Sequence, residues 1–89
     1  MAIISGMDLI WTPGAAKEWT RLPKEQRNLV RERLEEIARD PFKKHAGVTP
    51  MRGQQGVYRV RSGEWRAVYH IHGGQMRVVK VGHRREVYR

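Results

Sequence analysis

Arginine is the residue type whose spacing in this sequence most clearly indicates chemistry. Arg59, Arg61 and Arg66 lie in two short segments in which apolar and charged side chains alternate. Successive side chains of a strand point to opposite faces, so this spacing predicts three arginines on one face of a hairpin. Because a planar guanidinium group can donate two parallel hydrogen bonds to one phosphate, the three residues indicate a phosphate clamp.

Two other interpretations of these arginines stay open when only the residues are considered. Long cationic side chains can extend into water without any ligand, and Glu64 could neutralise Arg61. A turn at Ser62-Gly63 would place Arg59 opposite Arg66, and like charges at opposed positions destabilise a sheet. A clamp that binds an anion would explain this unfavourable pairing.

Positive charge is concentrated in the same half of the chain. The sequence carries 18 Lys and Arg residues against 9 Asp and Glu residues, a net charge of +9. Residues 1 to 42 hold seven of each sign, so residues 43 to 89 carry the whole excess, and eight of their eleven cations are arginine. Nucleic acid is the leading partner for such a surface, with simple solubility or adhesion to an anionic membrane as the alternatives.

Length and composition limit the kind of site. A chain of 89 residues suffices for one domain with a thin core, so we expect an open surface site. The absence of cysteine excludes disulfides, thiolate metal centres and cysteine nucleophiles, and it fits a cytoplasmic protein. The first eleven residues lack the basic start of a signal peptide and are too short to span a bilayer.

The first half of the chain is predicted to form a strand and two helices. Met7 to Trp11 is a short apolar run that predicts a strand, and Thr12-Pro13 is a typical helix start with a capping threonine. That helix should end at Leu22, because Pro23 disfavours helical backbone in the residue before it. A second helix is predicted over Lys24 to Arg39. Its apolar stripe comprises Leu29, Val30, Leu34, Ile37 and Ala38.

The second half is predicted to form a loop and then an antiparallel meander. Residues 42 to 50 contain helix and strand breakers and predict a loop, after which apolar residues alternate. Turns at Ser62-Gly63 and Gly73-Gly74 divide the alternating region into three strands. The side chains expected to cover the helices are Tyr58, Val60, Trp65, Ala67, Tyr69, Ile71, Met76 and Val78. The predicted fold class is therefore α+β, with the helices packed on one face of the sheet.

Lys80 does not fit this alternation. Arg77 and His70 join the arginines on the outer face, whereas Lys80 falls on the apolar face. Its position indicates either that the sheet has an edge there or that the register slips before it. The strand then ends in a glycine that is followed by further cations and a terminal aromatic residue, which adds weight to the phosphate clamp.

Four segments of the chain resemble the RelE/ParE toxins of type II toxin-antitoxin systems. They are Met51-Arg52-Gly53, Val57-Tyr58-Arg59-Val60-Arg61, Glu64-Trp65-Arg66-Ala67-Val68-Tyr69 and Val81-Gly82-His83-Arg84-Arg85-Glu86-Val87-Tyr88. The order of a strand, two helices and a meander agrees with that family over essentially the whole chain. Residues 1 to 89 are therefore expected to form a single domain similar to these toxins.

The resemblance implies a ribosome-dependent endoribonuclease that cleaves messenger RNA and so inhibits translation. It implies a reaction without a metal, in which basic residues promote attack of a ribose 2′-hydroxyl on the adjacent phosphate. The catalytic positions implied in this chain are Arg59, Arg61, Arg66, Arg84 and Tyr88. Further RNA contacts are predicted from Arg52, Arg77, Arg85 and Arg89, and Arg85 could exchange roles with Arg84.

The chain departs from the best-known members of the family, which have lysines at the positions of Arg59 and Arg61. Arginine has a pKa above about 12, so it can stabilise a phosphorane by its charge but hardly accepts a proton near neutral pH. Histidine and tyrosine have reference pKa values of about 6.5 and about 10. We therefore predict that His83 or Tyr88 is the general base, while a loop histidine that only bonds backbone is the alternative for His83.

The resemblance also supplies a rival function and a set of partners. ParE-type members of the family poison DNA gyrase and usually lack this set of residues, so the complete set favours the nuclease. A non-nucleolytic gyrase inhibitor is the second hypothesis. A general RNA- or DNA-binding domain is the third. The implied partners are a cognate antitoxin and messenger RNA in the ribosomal A site, with no membrane and no small-molecule cofactor. A monomeric toxin that forms hetero-oligomers with its antitoxin is implied as well.

Overall fold

The computed structural model describes residues 6–83, which form two helices and five strands. The elements in chain order are β1 (Asp8–Trp11), α1 (Pro13–Thr20), α2 (Lys24–Arg39), β2 (Val48–Pro50), β3 (Val57–Ser62), β4 (Trp65–His72) and β5 (Gln75–His83). The predicted α+β class, with helices on one face of a sheet, is confirmed. Neither described helix is long and apolar enough to cross a membrane.

Helix α1 begins as its capping residues predict. The side chain of Thr12 accepts a hydrogen bond of 3.2 Å from the Ala15 amide, and Pro13 occupies the first helical position. The prediction that the helix reaches Leu22 is wrong by two residues, because it ends at Thr20. The Leu22 amide donates to the Trp19 carbonyl at 3.1 Å, so the chain tightens into a three-residue turn before the following proline.

Helix α2 has the predicted bounds, and most of its predicted stripe faces the sheet. Val30, Leu34 and Ile37 are completely buried, and Ala38 is 5% exposed. Leu29 was predicted in the stripe but is 51% exposed, so that assignment is wrong. Leu29 lies at the edge of the stripe, on the side of α2 that is open to solvent in the described part of the chain.

The sheet is larger than the predicted meander, because a strand is added at each edge. The strand order is β1-β5-β4-β3-β2, in which β1 is parallel to β5 and all other pairs are antiparallel. The prediction of a loop over residues 42 to 50 is wrong at its end, since β2 pairs with β3. A strand of three residues is too short to show an alternating pattern, so the sequence did not indicate it. Its proline is tolerated because it lies in an edge strand, where the missing N–H removes no hydrogen bond from the centre of the sheet.

The turn between β3 and β4 lies one residue later than predicted. Ser62 pairs with Trp65, so Gly63 and Glu64 form the turn, and the glycine takes the positive φ of +59° at its first position. The predicted pairing of Arg59 with Arg66 is therefore wrong, and Arg61 lies opposite Arg66 instead. Each residue pairs with a partner two positions away from the predicted one. Because two is an even number, every side chain stays on the face of the sheet predicted for it.

The register slip anticipated near Lys80 is present as a bulge. Tyr69 pairs with Val78 and Val68 pairs with Lys80, which leaves Val79 as an extra residue in β5. The extra residue reverses the alternation of everything that follows it. Lys80 therefore lies on the outer face of the sheet, and Val81 is buried at 1% exposure against the helices.

The core lies between the helices and the inner face of the sheet. Val60, Ala67, Met76 and Val78 of the sheet are completely buried there. They pack with Ala15 of α1 and with the buried residues of α2. On the opposite face, which we call the outer face, Arg59, Arg61 and Arg77 are exposed. The core therefore covers one side of the sheet and leaves the other side accessible.

Candidate nucleic-acid interface

The three arginines singled out from the sequence line one open groove. Arg59, Arg61 and Arg66 form it together with residues 47 to 49, and its volume is about 440 Å³. Strands β3 and β4 supply the arginines, and the short edge strand β2 supplies a wall that the sequence did not predict. The structure thus brings together the three residues predicted to form a phosphate clamp. We call this feature the arginine groove.

Arg66 is the fixed member of the arginine groove. It is only 8% exposed, and its Nη1 donates hydrogen bonds of 2.9 Å to the carbonyls of Gly63 and Trp65. Neutral carbonyl groups orient the guanidinium without cancelling its charge. The structure thus holds a cation in a set position at the floor of the groove.

Arg61 lies opposite Arg66, so two cations face each other across the hairpin. Like charges at opposed positions are unfavourable, and a bound anion would relieve the repulsion. Within residues 6–83 no ion pair joins Arg61 to Glu64, so the predicted alternative of local neutralisation does not hold there. Arg59 is exposed one row further along the sheet, between Thr49 of β2 and Val68 of β4.

Gly47 positions the wall of the groove and was missed by sequence reasoning. Its φ is +78°, and its carbonyl accepts a hydrogen bond of 3.1 Å from the Arg61 amide. A Cβ atom at this position would lie 2.6 Å from the Arg61 carbonyl oxygen, so a larger residue would push the wall away. The sequence showed only a glycine among other breakers, which indicates a turn but not its contact.

His83 lies on a different side of the sheet from the arginine groove. It pairs with Trp65 in β4, so its side chain belongs to the face that carries the helices. Its Nε2 is 3.3 Å from Oε2 of Glu64, and both side chains are partly exposed. His83 also lines a crevice of about 320 Å³ between the end of α1 and the end of β5. The structure therefore does not bring His83 together with the three arginines.

The other predicted site residues are distributed over the surface or lie outside the described range. Arg77 is exposed on the outer face opposite His70, and its Nη2 donates a hydrogen bond of 3.2 Å to Oε1 of Gln75. Arg52 is exposed in the turn between β2 and β3. Four predicted site residues lie outside the described residues, namely Arg84, Arg85, Tyr88 and Arg89.

The outer face also carries an apolar depression that the sequence analysis did not predict. Met51, Val57, Val68 and Val79 line it together with polar groups that include Lys80, and its volume is about 380 Å³. Val79 is 39% exposed because the bulge turns it away from the core. The outer face is thus a basic groove beside an apolar depression, and not a uniformly charged surface.

Tyr69 is the tyrosine of the described sheet whose ionisation is most strongly altered. Burial, supported by the neighbouring Tyr58, raises the pKa of Tyr69 to about 12, although the charge of Arg33 opposes the shift. Its ring stacks on Tyr58 with 5.5 Å between centroids. A phenol that points into the core and holds its proton this tightly is not available for proton transfer on the outer face.

Comparison with known proteins agrees with this architecture. A family model described as the ParE toxin of the type II toxin-antitoxin system parDE matches residues 9–88. The isolated RelE toxin of E. coli superposes with a TM-score of 0.76 and 27% identity, covering 92% of this chain and 90% of that one. No curated protein matches the chain by sequence.

Two further solved structures are similar in fold. The archaeal RelE-RelB complex from Pyrococcus horikoshii matches with a TM-score of 0.76 and 19% identity, covering 91% of this chain and 98% of that one. The RelBE2 toxin-antitoxin complex from Mycobacterium tuberculosis matches with a TM-score of 0.73 and 23% identity, covering 89% and 99%. Because the family model spans nearly the whole chain and the fold agrees, this protein belongs to the RelE/ParE family of toxins of type II toxin-antitoxin systems.

Proposed function

We propose that this toxin is a ribosome-dependent endoribonuclease that cleaves messenger RNA in the cytoplasm and so inhibits translation. The observation that carries the proposal is the arginine groove, in which three arginines line a space of about 440 Å³. A phosphodiester needs such a concentration of positive charge when it becomes a pentacoordinate phosphorane. The 27% identity to the RelE toxin of E. coli supports the same assignment.

The proposed reaction is an intramolecular transesterification. The ribose 2′-oxygen forms a bond to the adjacent phosphorus as the bond from phosphorus to the 5′-oxygen breaks. The 2′-hydroxyl proton passes to a base, the 5′-oxygen takes up a proton from an acid, and a cyclic phosphate and a 5′-hydroxyl end result. Arg66, held by two carbonyls, provides a fixed charge, and Arg61 opposite it binds a second phosphate oxygen.

Tyr88 is the general base in this proposal, and Arg84 acts on the side of the leaving group. His83 was the other candidate, but its register position puts it on the helix side of the sheet, away from the arginine groove. A tyrosine has a reference pKa of about 10, and nearby cations favour its ionised form. The remaining arginines of the basic half, Arg52, Arg77, Arg85 and Arg89, contact the RNA backbone.

Primer extension on a translated messenger tests the proposal. Wild-type toxin should produce breaks within codons, and Arg61→Ala should reduce cleavage by about 10²-fold, because it removes one charged donor from the transition state. Arg61 is the better probe than Arg66, since it is exposed and its loss leaves the core unchanged. Arg31→Ala is the matched control, because Arg31 lies on the exposed side of α2 and this substitution changes the net charge by the same amount as Arg61→Ala.

Inhibition of DNA gyrase is the second candidate, and the description of the matching family model favours it. A gyrase inhibitor would leave the messenger intact and block supercoiling by purified gyrase. In that case Arg61→Ala should inhibit supercoiling as well as the wild type does. Intact RNA together with blocked supercoiling would replace the nuclease proposal.

A cognate antitoxin is the proposed partner, because several similar structures were solved as toxin-antitoxin complexes. The outer face combines exposed arginines with an apolar depression, which suits an amphipathic acidic segment. The toxin is proposed to be monomeric by itself and to form a hetero-oligomer with the antitoxin. Co-expression of the neighbouring gene should abolish growth arrest and yield a complex whose dissociation increases with salt.

A further inference from the structure

Glu18 makes a contact that no feature of the sequence indicated. Its Oε1 accepts a hydrogen bond of 3.0 Å from the backbone amide of Val81, although 63 positions separate the two residues. Glu18 lies near the end of α1, and Val81 lies near the end of β5. A helix side chain thus binds the backbone of the strand that leads into residues 84 to 89.

The sheet itself provides no partner for this amide. Strand β1 pairs with β5 from Gln75 to Val78, and the Thr12 amide then donates to the Val78 carbonyl at 3.0 Å, where the chain turns into α1. Beyond Val78 the edge of β5 faces α1. Val81 is 1% exposed, so water cannot replace a missing acceptor there, and the Glu18 carboxylate acts in place of a strand.

This contact holds the end of β5 from the side opposite to β4. On the β4 side, Gly82 pairs with Arg66, the fixed arginine of the groove. The bulge at Val79 interrupts the ladder just before this stretch, so β4 alone holds it less firmly. Glu18 and Arg66 therefore hold the end of β5 from its two sides, at Val81 and Gly82.

We propose that Glu18 is a positioning residue that fixes the end of β5 at Val81 and Gly82, and thereby the position of Arg66, which pairs with Gly82 in the arginine groove. The proposal rests on the nuclease function proposed above. Glu18 does not line the arginine groove; it lines the crevice on the helix side with Arg21 and His83. Its effect is transmitted through the backbone of Val81 and Gly82 to Arg66.

Two substitutions at this position separate the hydrogen bond from the charge. Glu18→Ala removes the acceptor, and we expect kcat to fall about tenfold or more with little change in KM, because small misplacements of catalytic groups are costly in rate. Glu18→Gln keeps a carbonyl oxygen that can accept from Val81 and should keep kcat within about twofold of the wild type. Glu32→Ala is the control, because it removes the same charge from an exposed position on α2.

Amide hydrogen exchange provides a readout that does not depend on RNA. In Glu18→Ala the Val81 amide should exchange faster, and the backbone signals of Gly82, His83 and Arg66 should shift, while the amides of α2 keep their protection. Glu18→Gln should leave all of these unchanged. All rates are measured well below the thermal midpoint of each variant, so that a loss of kcat is not a loss of folded protein.

The outcomes separate this inference from the nuclease function. Unchanged kcat in Glu18→Ala, or equal losses in the alanine and glutamine variants, would overturn the positioning role. Unchanged exchange at Val81 would overturn it as well. If the wild type cuts no RNA, the nuclease function fails, and growth arrest on induction replaces kcat as the activity to be compared among the same three variants.

Discussion

The two faces of the sheet are built from alternate residues of the same strands, yet they differ in burial and in charge. On the inner face, Val60, Met76 and Val78 are completely buried against the helices. On the outer face, Arg59, Arg61 and Arg77 of the same strands are exposed. Burial of apolar surface on one side supplies the stability that lets the other side gather like charges. Changes on one face should therefore affect stability, and changes on the other should affect activity.

Leu34→Ala tests the inner side of this comparison and should have the largest effect. Leu34 is completely buried in the core, so the substitution should lower the free energy of unfolding by about 2–5 kcal/mol. Denaturant unfolding measures this change. RNA cleavage per folded molecule should stay at the wild-type level, and a loss of cleavage by fully folded protein would mean that the two faces are coupled.

The second prediction concerns Tyr69, whose folded pKa of about 12 lies above its usual value of 10.0. The unfolded chain loses this proton near pH 10, whereas the folded protein keeps it to about pH 12. The contribution of Tyr69 to the free energy of unfolding should therefore be constant below pH 10. It should fall by at most about 2–3 kcal/mol as the pH rises from about 10 to about 12. Unfolding of the wild type and of Tyr69→Phe, measured as a function of pH, checks this. The difference between their free energies of unfolding should not depend on pH below pH 10 and should change between about pH 10 and about pH 12.

Arg61→Lys tests whether charge or geometry dominates on the outer face. Lysine keeps the positive charge but loses the planar fork, so we expect cleavage to fall by less than about tenfold. Single-turnover cleavage compared with Arg61→Ala gives the answer. If the lysine variant is as inactive as the alanine variant, two parallel hydrogen bonds matter more than charge.

The smallest effect is expected at the bulge. Val79 is 39% exposed on the outer face, so Val79→Ser should change the free energy of unfolding by less than about 0.5 kcal/mol. The buried neighbour Val78 offers a matched comparison, and Val78→Ser should be much more destabilising. Equal losses at the two positions would show that the bulge residue packs against something that covers the outer face.

Local signals in the sequence predicted the helices and the faces of the strands well. Thr12, Pro13 and Pro23 act on their immediate neighbours, so the start of α1 and the start of α2 follow from them. The turn after β3 was misplaced because Ser62-Gly63 and Gly63-Glu64 both contain the glycine that a hairpin requires. Only the pairing of whole strands decides between them, and a short segment does not contain that information.

Contacts between distant parts of the chain were the least predictable. The edge strand β2, the parallel pairing of β1 and the bond from Glu18 to Val81 join segments that carry no mark of each other. For the site, the sequence predicted that Arg59, Arg61 and Arg66 share a face, but not that carbonyl groups hold Arg66. Arg84, Arg85, Tyr88 and Arg89 lie outside the described residues, so their roles stay predictions.

The bulge at Val79 gives β5 one position at which its length can change. Removing Val79 would leave every observed pair with β4 intact, from Val78 with Tyr69 to Val81 with Ala67. Removing a residue within the regular part of the strand would instead exchange the faces of all residues on one side of the deletion. Relatives with one residue fewer here should therefore keep the same inner and outer residues, and differ in the direction in which the strand leaves the sheet.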